Sequence, residues 1–588
     1  MALNPSPTLG RAMMGAIGAL AGLCLWLLVD VLDDQLRAVP RLFLALVAFY
    51  GVFFTSLLAL LGPLRLRRAG PFAALQGVGV TALVLWFSLR FDHIEQTLES
   101  PTAWVAAIIL TLIPLPFAIA QVKEGRWSDY SGLFAHSWDI VVRYAAAWVF
   151  VGLAWGVVML SDQLFQLVGI ELIEHLLDVD PVPFLLTGTA LGVALAVVNE
   201  LSDYVSPYLV LRLLRLLLPV VLVVMAVFLV ALPFRGLSHL FGGFSAAATL
   251  MTMAMGATTL ITTALDADDS RAVASAPMRV MAQLMALILP ALGVLAAVAI
   301  WLRVDQYGWT PDRLAASVIA ALVLAYGLAY AVSVILRGDW TGHIRRVNMV
   351  LALAALVVSA AWLSPLLNAH RISTNSQVDR FEAGQTDVAD LDLWLIGREW
   401  GRAGQAGLAR LQTMEGHPQA DVLQQRITRL NDADSRYDFA NEDRAVTAET
   451  QLRDLADLLQ VVPEGKSVPD WFWDGLPLHK VEQLQRACAR RTPAQNRGCM
   501  VLFADLSDLV DGDEAVVFAL SANDSLVVDG YFNRTGRIDT RRANFLGGSN
   551  LTKGGAAVLD QLAEGAFALA PVPARVLELG GRQLYFAP

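Results

Sequence analysis

Across 588 residues the chain is 56% hydrophobic and only 16% charged, with a mean hydropathy of +0.54. Those values exclude an ordinary soluble protein and require lipid as the solvent for much of the chain. The net charge of −10 comes mostly from residues after 370, where acidic side chains outnumber basic ones, and this argues against a nucleic-acid partner. Basic residues are almost all Arg, with Lys only at 123, 466, 480 and 553, a bias typical of a GC-rich bacterial genome.

Apolar runs long enough to cross a bilayer core of about 30 Å recur at 12–30, 42–62, 71–89, 102–121, 143–166, 182–199, 208–231, 246–265, 280–302, 312–336 and 347–367. The expectation is therefore about eleven transmembrane helices. The first run follows Arg11 and is not succeeded by a small-residue cleavage site, so it reads as an uncleaved span. The fifth is preceded by an amphipathic stretch, Trp138 to Arg143, and the eighth is rich in Thr, Met and Ala; both are read as partly interfacial or re-entrant alternatives to a full crossing. Small residues four apart recur within spans, at Gly18 and Gly22, Gly152 and Gly156, and Gly188 and Gly192, where they let helix backbones approach. Pro114, Pro116, Pro219 and Pro290 fall inside spans and read as kinks.

Orientation follows from the loops that keep Arg and Lys. Arg65, Arg67 and Arg68, Lys123 and Arg126, Arg212 and Arg215, Arg271 and Arg279, and Arg337, Arg345 and Arg346 all occupy alternate loops, while the intervening ones are acidic or mixed. This pattern places the N-terminus in the cytoplasm of a bacterial inner membrane and everything after the last run in the periplasm. The domains expected are thus a transmembrane helical domain over 1–369 and a periplasmic α+β domain over 370–588.

The second half is read as helices at 387–414, 419–431, 447–460 and 478–489, followed by strands at 500–504, 515–520, 525–532, 575–579 and 582–586. Gly580 and Gly581 separate the last two as a tight hairpin turn. A helix-first, strand-later order implies an α+β domain with a small antiparallel sheet. Cys488 and Cys499 are the only cysteines there. An oxidising compartment and an intervening helix end and turn predict a disulfide between them.

Three segments together resemble a known family. They are Trp148-Val-Phe-Val-Gly-Leu-Ala-Trp155 with Leu164-Phe-Gln-Leu-Val-Gly-Ile170, then Tyr307-Gly-Trp-Thr-Pro-Asp-Arg313, then Ser373 to Gly384 with Ser376, Gln377 and Arg380. This combination is similar to the bacterial membrane proteins grouped as the domain-of-unknown-function 4153 family, over roughly residues 140 to 400. The resemblance implies a polytopic membrane protein and supplies no catalytic residues.

Candidate sites are few. Tyr307, Trp309 and Arg313 suit a headgroup layer, with Thr310 capping a helix that opens at Pro311. A polar cluster where the last span emerges, including Arg371, Gln377 and Arg380, suits contacts with outer loops or a lipid phosphate. Fixed contacts from Arg371, Gln377 and Arg380 to Trp309 and Arg313 are the specific expectation. Glu200, Asp203, Arg212 and Arg215 suggest an ion-pair cluster at the cytoplasmic ends of spans six and seven. Scattered histidines and the lack of a ligand-spaced motif support neither a metal nor any other cofactor. The leading reading is a non-enzymatic envelope protein, held among membrane lipids, that presents a periplasmic domain to a protein partner. A transporter or lipid-handling protein is the alternative, and a membrane-embedded transferase the remotest.

Overall fold

The computed structural model describes residues 7–32, 38–201, 207–235, 246–273, 275–414, 416–463, 465–506, 513–534, 537–542, 554–569, 577–579 and 582–584. Among these are eleven segments long and apolar enough to cross a membrane. They are built by α1 (Pro7–Trp26), α2 (Pro40–Leu60), α3 (Leu66–Ser88), the pair α4 (Pro101–Leu112) and α5 (Pro114–Lys123), α6 (Tyr130–Leu167), α7 (Pro181–Glu200), α8 (Pro207–Arg235), α9 (Ala246–Leu265), α10 (Ala276–Tyr307), α11 (Pro311–Ile335) and α12 (Trp340–Leu363). Proline opens α2, α4, α5, α7 and α11. Its fixed φ suits a first helical turn, and its missing N–H is one that a helix start leaves unbonded anyway.

The chain divides into two compact units, Met1–Ile427 and Thr428–Pro588. In the first unit, one buried core gathers α1, α2, α3, α5, α6 and α7 around Leu58, Ala73, Ile119 and Leu195. A second gathers α8 to α11 around Met225, Ile261, Leu289 and Val323. Helix α12 is shared: Ile344 near its start lies in the second core, whereas Trp362 and Leu363 at its end pack with α2, α3 and α4. The seam between the two groups therefore runs along α12.

Both ambiguous runs are full helices. The fifth is one 38-residue helix that absorbs the Trp138–Arg143 stretch. The eighth, α9, has half of its apolar window buried, so its small and flexible side chains go with close helix packing. The fourth run is broken. Pro114 and Pro116 cannot donate to the carbonyls of Leu110 and Leu112, and the Gln76 side-chain amide donates instead to Leu110 O (3.0 Å) and Thr111 O (2.7 Å). The α8 and α10 helices continue through Pro219 and Pro290.

The glycine pairs separate into two fates. A Cβ on Gly18 would overlap the Gly188 carbonyl, and one on Gly192 would overlap that of Met14, so α1 and α7 cross in backbone contact. Around Gly152 and Gly156 there is open space, on a stretch of α6 whose Trp148, Val149, Leu153 and Val157 are exposed.

After α12 the chain forms α13 (Ala369–Glu382), a π-helical turn (Leu395–Glu399), α14 (Gly401–Gln412) and α15 (Ala420–Asp432). The single helix expected over 387–414 is thus interrupted: Gly401 has φ +56°, a left-handed conformation that ends one helical segment before the next begins.

In the second unit, α16 (Arg436–Leu458), α17 (Asp470–Asp474) and α18 (Leu478–Cys488) accompany a five-stranded sheet of order β1 (Gln460–Val462), β2 (Cys499–Ala504), β3 (Glu514–Leu520), β4 (Leu526–Arg534), β5 (Arg537–Arg542). The first pair is parallel and the others antiparallel, with Val501 opposite Val517 and Val517 opposite Asp529. One sheet face packs with α18 through Val481, Leu484, Val501 and Tyr531. The other packs with α19 (Gly555–Ala563) through Met500, Val528 and Leu559. Strands β2 to β4 match the expectation; β1, short and parallel, and β5, with four charged residues in six, do not carry the apolar alternation that identifies strands. A hairpin of β6 (Leu577–Leu579) and β7 (Arg582–Leu584) forms as expected, while Gly580 and Gly581 lie outside the described residues. Cys488 and Cys499 are joined by a disulfide between the end of α18 and the start of β2, with Cα atoms 4.7 Å apart.

Candidate functional site

The exit of the last span is not a solvated linker. Asn368 caps α13 by accepting from the Arg371 N–H (3.2 Å), and Ser373, Thr374, Gln377, Val378 and Phe381 are buried along it. The helix lies against the α10–α11 turn, Tyr307 to Thr310. Gln377 Nε2 donates to Tyr307 O (2.8 Å) and Trp309 O (3.0 Å), the Ser376 hydroxyl accepts from the Trp309 N–H (3.2 Å), and an Arg380 guanidinium nitrogen donates to Gln306 O (3.1 Å). Gly308 makes this fit: its φ is +73°, and a Cβ there would stand 2.7 Å from Gln377 Nε2 and 2.8 Å from Arg380 Cδ. From the other side Arg313 donates to Gly308 O (2.7 Å) and Tyr307 O (3.3 Å), with its guanidinium carbon 5.4 Å from the Tyr307 ring centre. Thr310 accepts from the Arg313 N–H as the expected cap.

A residue that sequence reasoning missed completes the lock. Arg90, just past α3 and 9% exposed, donates to Trp362 O (2.7 Å), Ser364 O (2.5 Å) and Leu367 O (3.2 Å), capping the last carbonyls of α12 and the turn that follows it. Such carbonyls have no intrahelical donor. Burial lowers the Arg90 pKa to about 10. His370 is buried beside it, edge-on to Phe91 at 5.0 Å, and its pKa is lowered to about 4, first by burial and then by the Arg90 charge. The Arg90 carbonyl accepts from the Arg402 N–H (2.9 Å), Arg402 pairs with Asp92 (3.1 Å), and Gln96 donates to Arg398 O (2.6 Å). Helices α13 and α14 therefore form a cap fastened to the ends of α3, α10 and α12. Arg371, expected among the fixed contacts, has an exposed side chain, because its position on α13 faces away from the α10–α11 turn.

The opposite end of the bundle, here the base, corrects the expected ion-pair cluster. Glu200 pairs with Arg11 (2.5 Å), and Arg215 pairs with Asp266, which is 1% exposed. Arg212 lies 5.6 Å from the Tyr208 ring, and Asp203 is outside the described residues. The helix order α7 to α8 does not set these partners; the packing of α1 on α7 and of α9 on α8 does. Arg143, 2% exposed, donates to Ala59 O (2.8 Å) and Asn199 Oδ1 (3.2 Å) and sits 3.5 Å from Asp139.

Between base and cap, the seam holds a cavity of about 440 Å³, lined by the α4–α5 break, the first turns of α6, and α9, α11 and α12. Tyr330 hydrogen-bonds Asn348 and, at 3.1 Å, Thr262, and Asn348 Nδ2 donates to the Tyr130 hydroxyl (3.0 Å). These residues are 68 to 218 positions apart, except for Tyr330 and Asn348, and no local motif announces them. Among the described residues no group of three or more His, Cys, Asp or Glu is placed to hold a metal ion.

Comparison with known proteins agrees with this division. The model of the family described as a domain of unknown function (DUF4153) matches residues 51–411, from within α2 to the end of the cap. No curated protein matches the chain, nor does any solved structure. With more than half of its length matched, the chain belongs to the DUF4153 family.

Proposed function

We propose that this is a non-enzymatic, multi-pass protein of a bacterial inner membrane that holds its cap in the outer headgroup layer and presents its C-terminal α+β domain to a periplasmic protein. The observation that carries this reading is the fastened cap: Gln377, Arg380 and Arg90 spend charge-assisted or paired hydrogen bonds on position rather than on a reactive centre. Orientation is supported by the Arg and Lys that recur in the loops at the base, and by the Cys488–Cys499 disulfide, which suits an oxidising compartment. In this reading the chain leaves the bilayer near Ala369 and everything from residue 370 is outside.

A photocross-linking amino acid at exposed Tyr437 or Phe567 in whole cells tests it. The expected result is a discrete protein adduct that weakens when Gln377 and Arg380 are both replaced by Ala. No adduct, or a reporter fused after Pro588 that works only in the cytoplasm, overturns it. A second reading, a lipid-handling or transport protein, is favoured by the seam cavity beside the broken fourth span.

A further inference from the structure

We infer that the seam cavity is a binding site for an acyl chain carrying an uncharged ester, with the chain against the apolar walls and the ester carbonyl at Tyr130 and Tyr326. The inference stands on the cavity alone and not on the role of the cap.

Its volume, about 440 Å³, falls within the range of sites that take small molecules. Most of the wall is apolar, from Leu112, Pro116, Phe117, Phe134 and Trp138 to Met349, and no Asp, Glu, Lys, Arg or His lines it. A charged ligand would therefore be desolvated without a counter-charge, which is costly. The wall's polar groups specify more. Ser137, Thr258 and Thr259 spend their hydroxyl protons on carbonyls four residues back in their own helices, and the Thr262 hydroxyl is engaged by the Thr258 carbonyl and the Tyr330 hydroxyl. The Tyr130 hydroxyl accepts from Asn348, which leaves its own proton to give. Tyr326 lines the cavity and its hydroxyl has no hydrogen-bond partner among the described residues. Two tyrosine protons are thus spare among the residues of a mostly apolar cavity, and donors of this kind match the lone pairs of a carbonyl. Pro116, also in the wall, withholds an N–H from the Leu112 carbonyl, so the backbone at the break is held open rather than closed into the helix.

Purified full-length protein in phosphatidylcholine vesicles, doped with a diacylglycerol bearing a diazirine on one acyl chain, provides the test. After irradiation, peptides from α5, from Tyr130–Val141 and from Asn348–Ala352 should carry more label than the lipid-exposed stretch Val149–Val157. That excess should be competed by unlabelled diacylglycerol. Tyr130→Phe with Tyr326→Phe, which changes no volume, should weaken the competition by about tenfold. Ser137→Phe, which fills the cavity, should abolish the excess. Should a diazirine phosphatidylcholine label the same peptides equally well, the site takes the ester-bearing chain of a bulk phospholipid. Unsaturable labelling, or labelling unchanged in both variants, overturns the inference.

Discussion

The cap and the seam use the same hydrogen-bonding chemistry to opposite ends. At the cap, long side chains reach main-chain carbonyls that helix ends leave unbonded: Arg90 meets three of them and Gln377 two. At the seam, short neutral groups bond one another around a void, and two hydroxyl protons remain uncommitted. A guanidinium shared by several carbonyls fixes the end of one helix against another, whereas the tyrosine–asparagine–threonine chain links four helices beside a cavity whose wall keeps uncommitted donors.

The sharpest way to break the contrast is Arg90→Ala. Three carbonyls would lose their donor within a buried setting, and hydrogen exchange of α13 amides should report a loss of about 2 to 4 kcal/mol in cap stability. An unchanged protection pattern would mean that the cap is held elsewhere. The next effect is one of pH. His370 titrates near 4 in the folded cap instead of near 6.5, so between those values the unfolded form binds a proton that the folded form refuses. Cap stability should therefore be full above about pH 6.5 and decline as pH falls toward 4, by no more than about 3.5 kcal/mol. His370→Phe, which keeps a ring against Phe87 and Phe91, should flatten that dependence in the same exchange measurement.

Gln377→Ala should cost about 1 to 2 kcal/mol by losing two hydrogen bonds to the α10–α11 turn, while Arg371→Ala, one helical face away and exposed, should stay within about 0.5 kcal/mol. Equal effects at the two positions would erase the distinction between lock and surface. At the seam, Tyr330→Phe removes one hydroxyl with two partners, and detergent-titrated unfolding should show only about 0.6 kcal/mol, the scale typical of hydrogen bonds between membrane helices. A much larger loss would make the seam a structural lock like the cap.

Sequence alone determined the number of the apolar segments, the cap at Thr310, the strands β2 to β4 and the cysteine pair, because each is a matter of local periodicity, local capping chemistry or elimination. The Tyr307–Arg313 turn and the Gln377 and Arg380 segment were legible as partners because their polar residues are dense within short stretches. Arg90 and the Tyr130–Thr262–Tyr330–Asn348 network were not, since each finds its partners only on helices far away in the chain. Glycine spacing shows the same limit: Gly18 and Gly22 share their motif with Gly152 and Gly156, yet only the first pair meets another backbone. Spacing states which face of a helix permits a close approach, and tertiary packing alone decides which helix arrives there. That is why Arg215 pairs with Asp266 instead of with its neighbours in sequence.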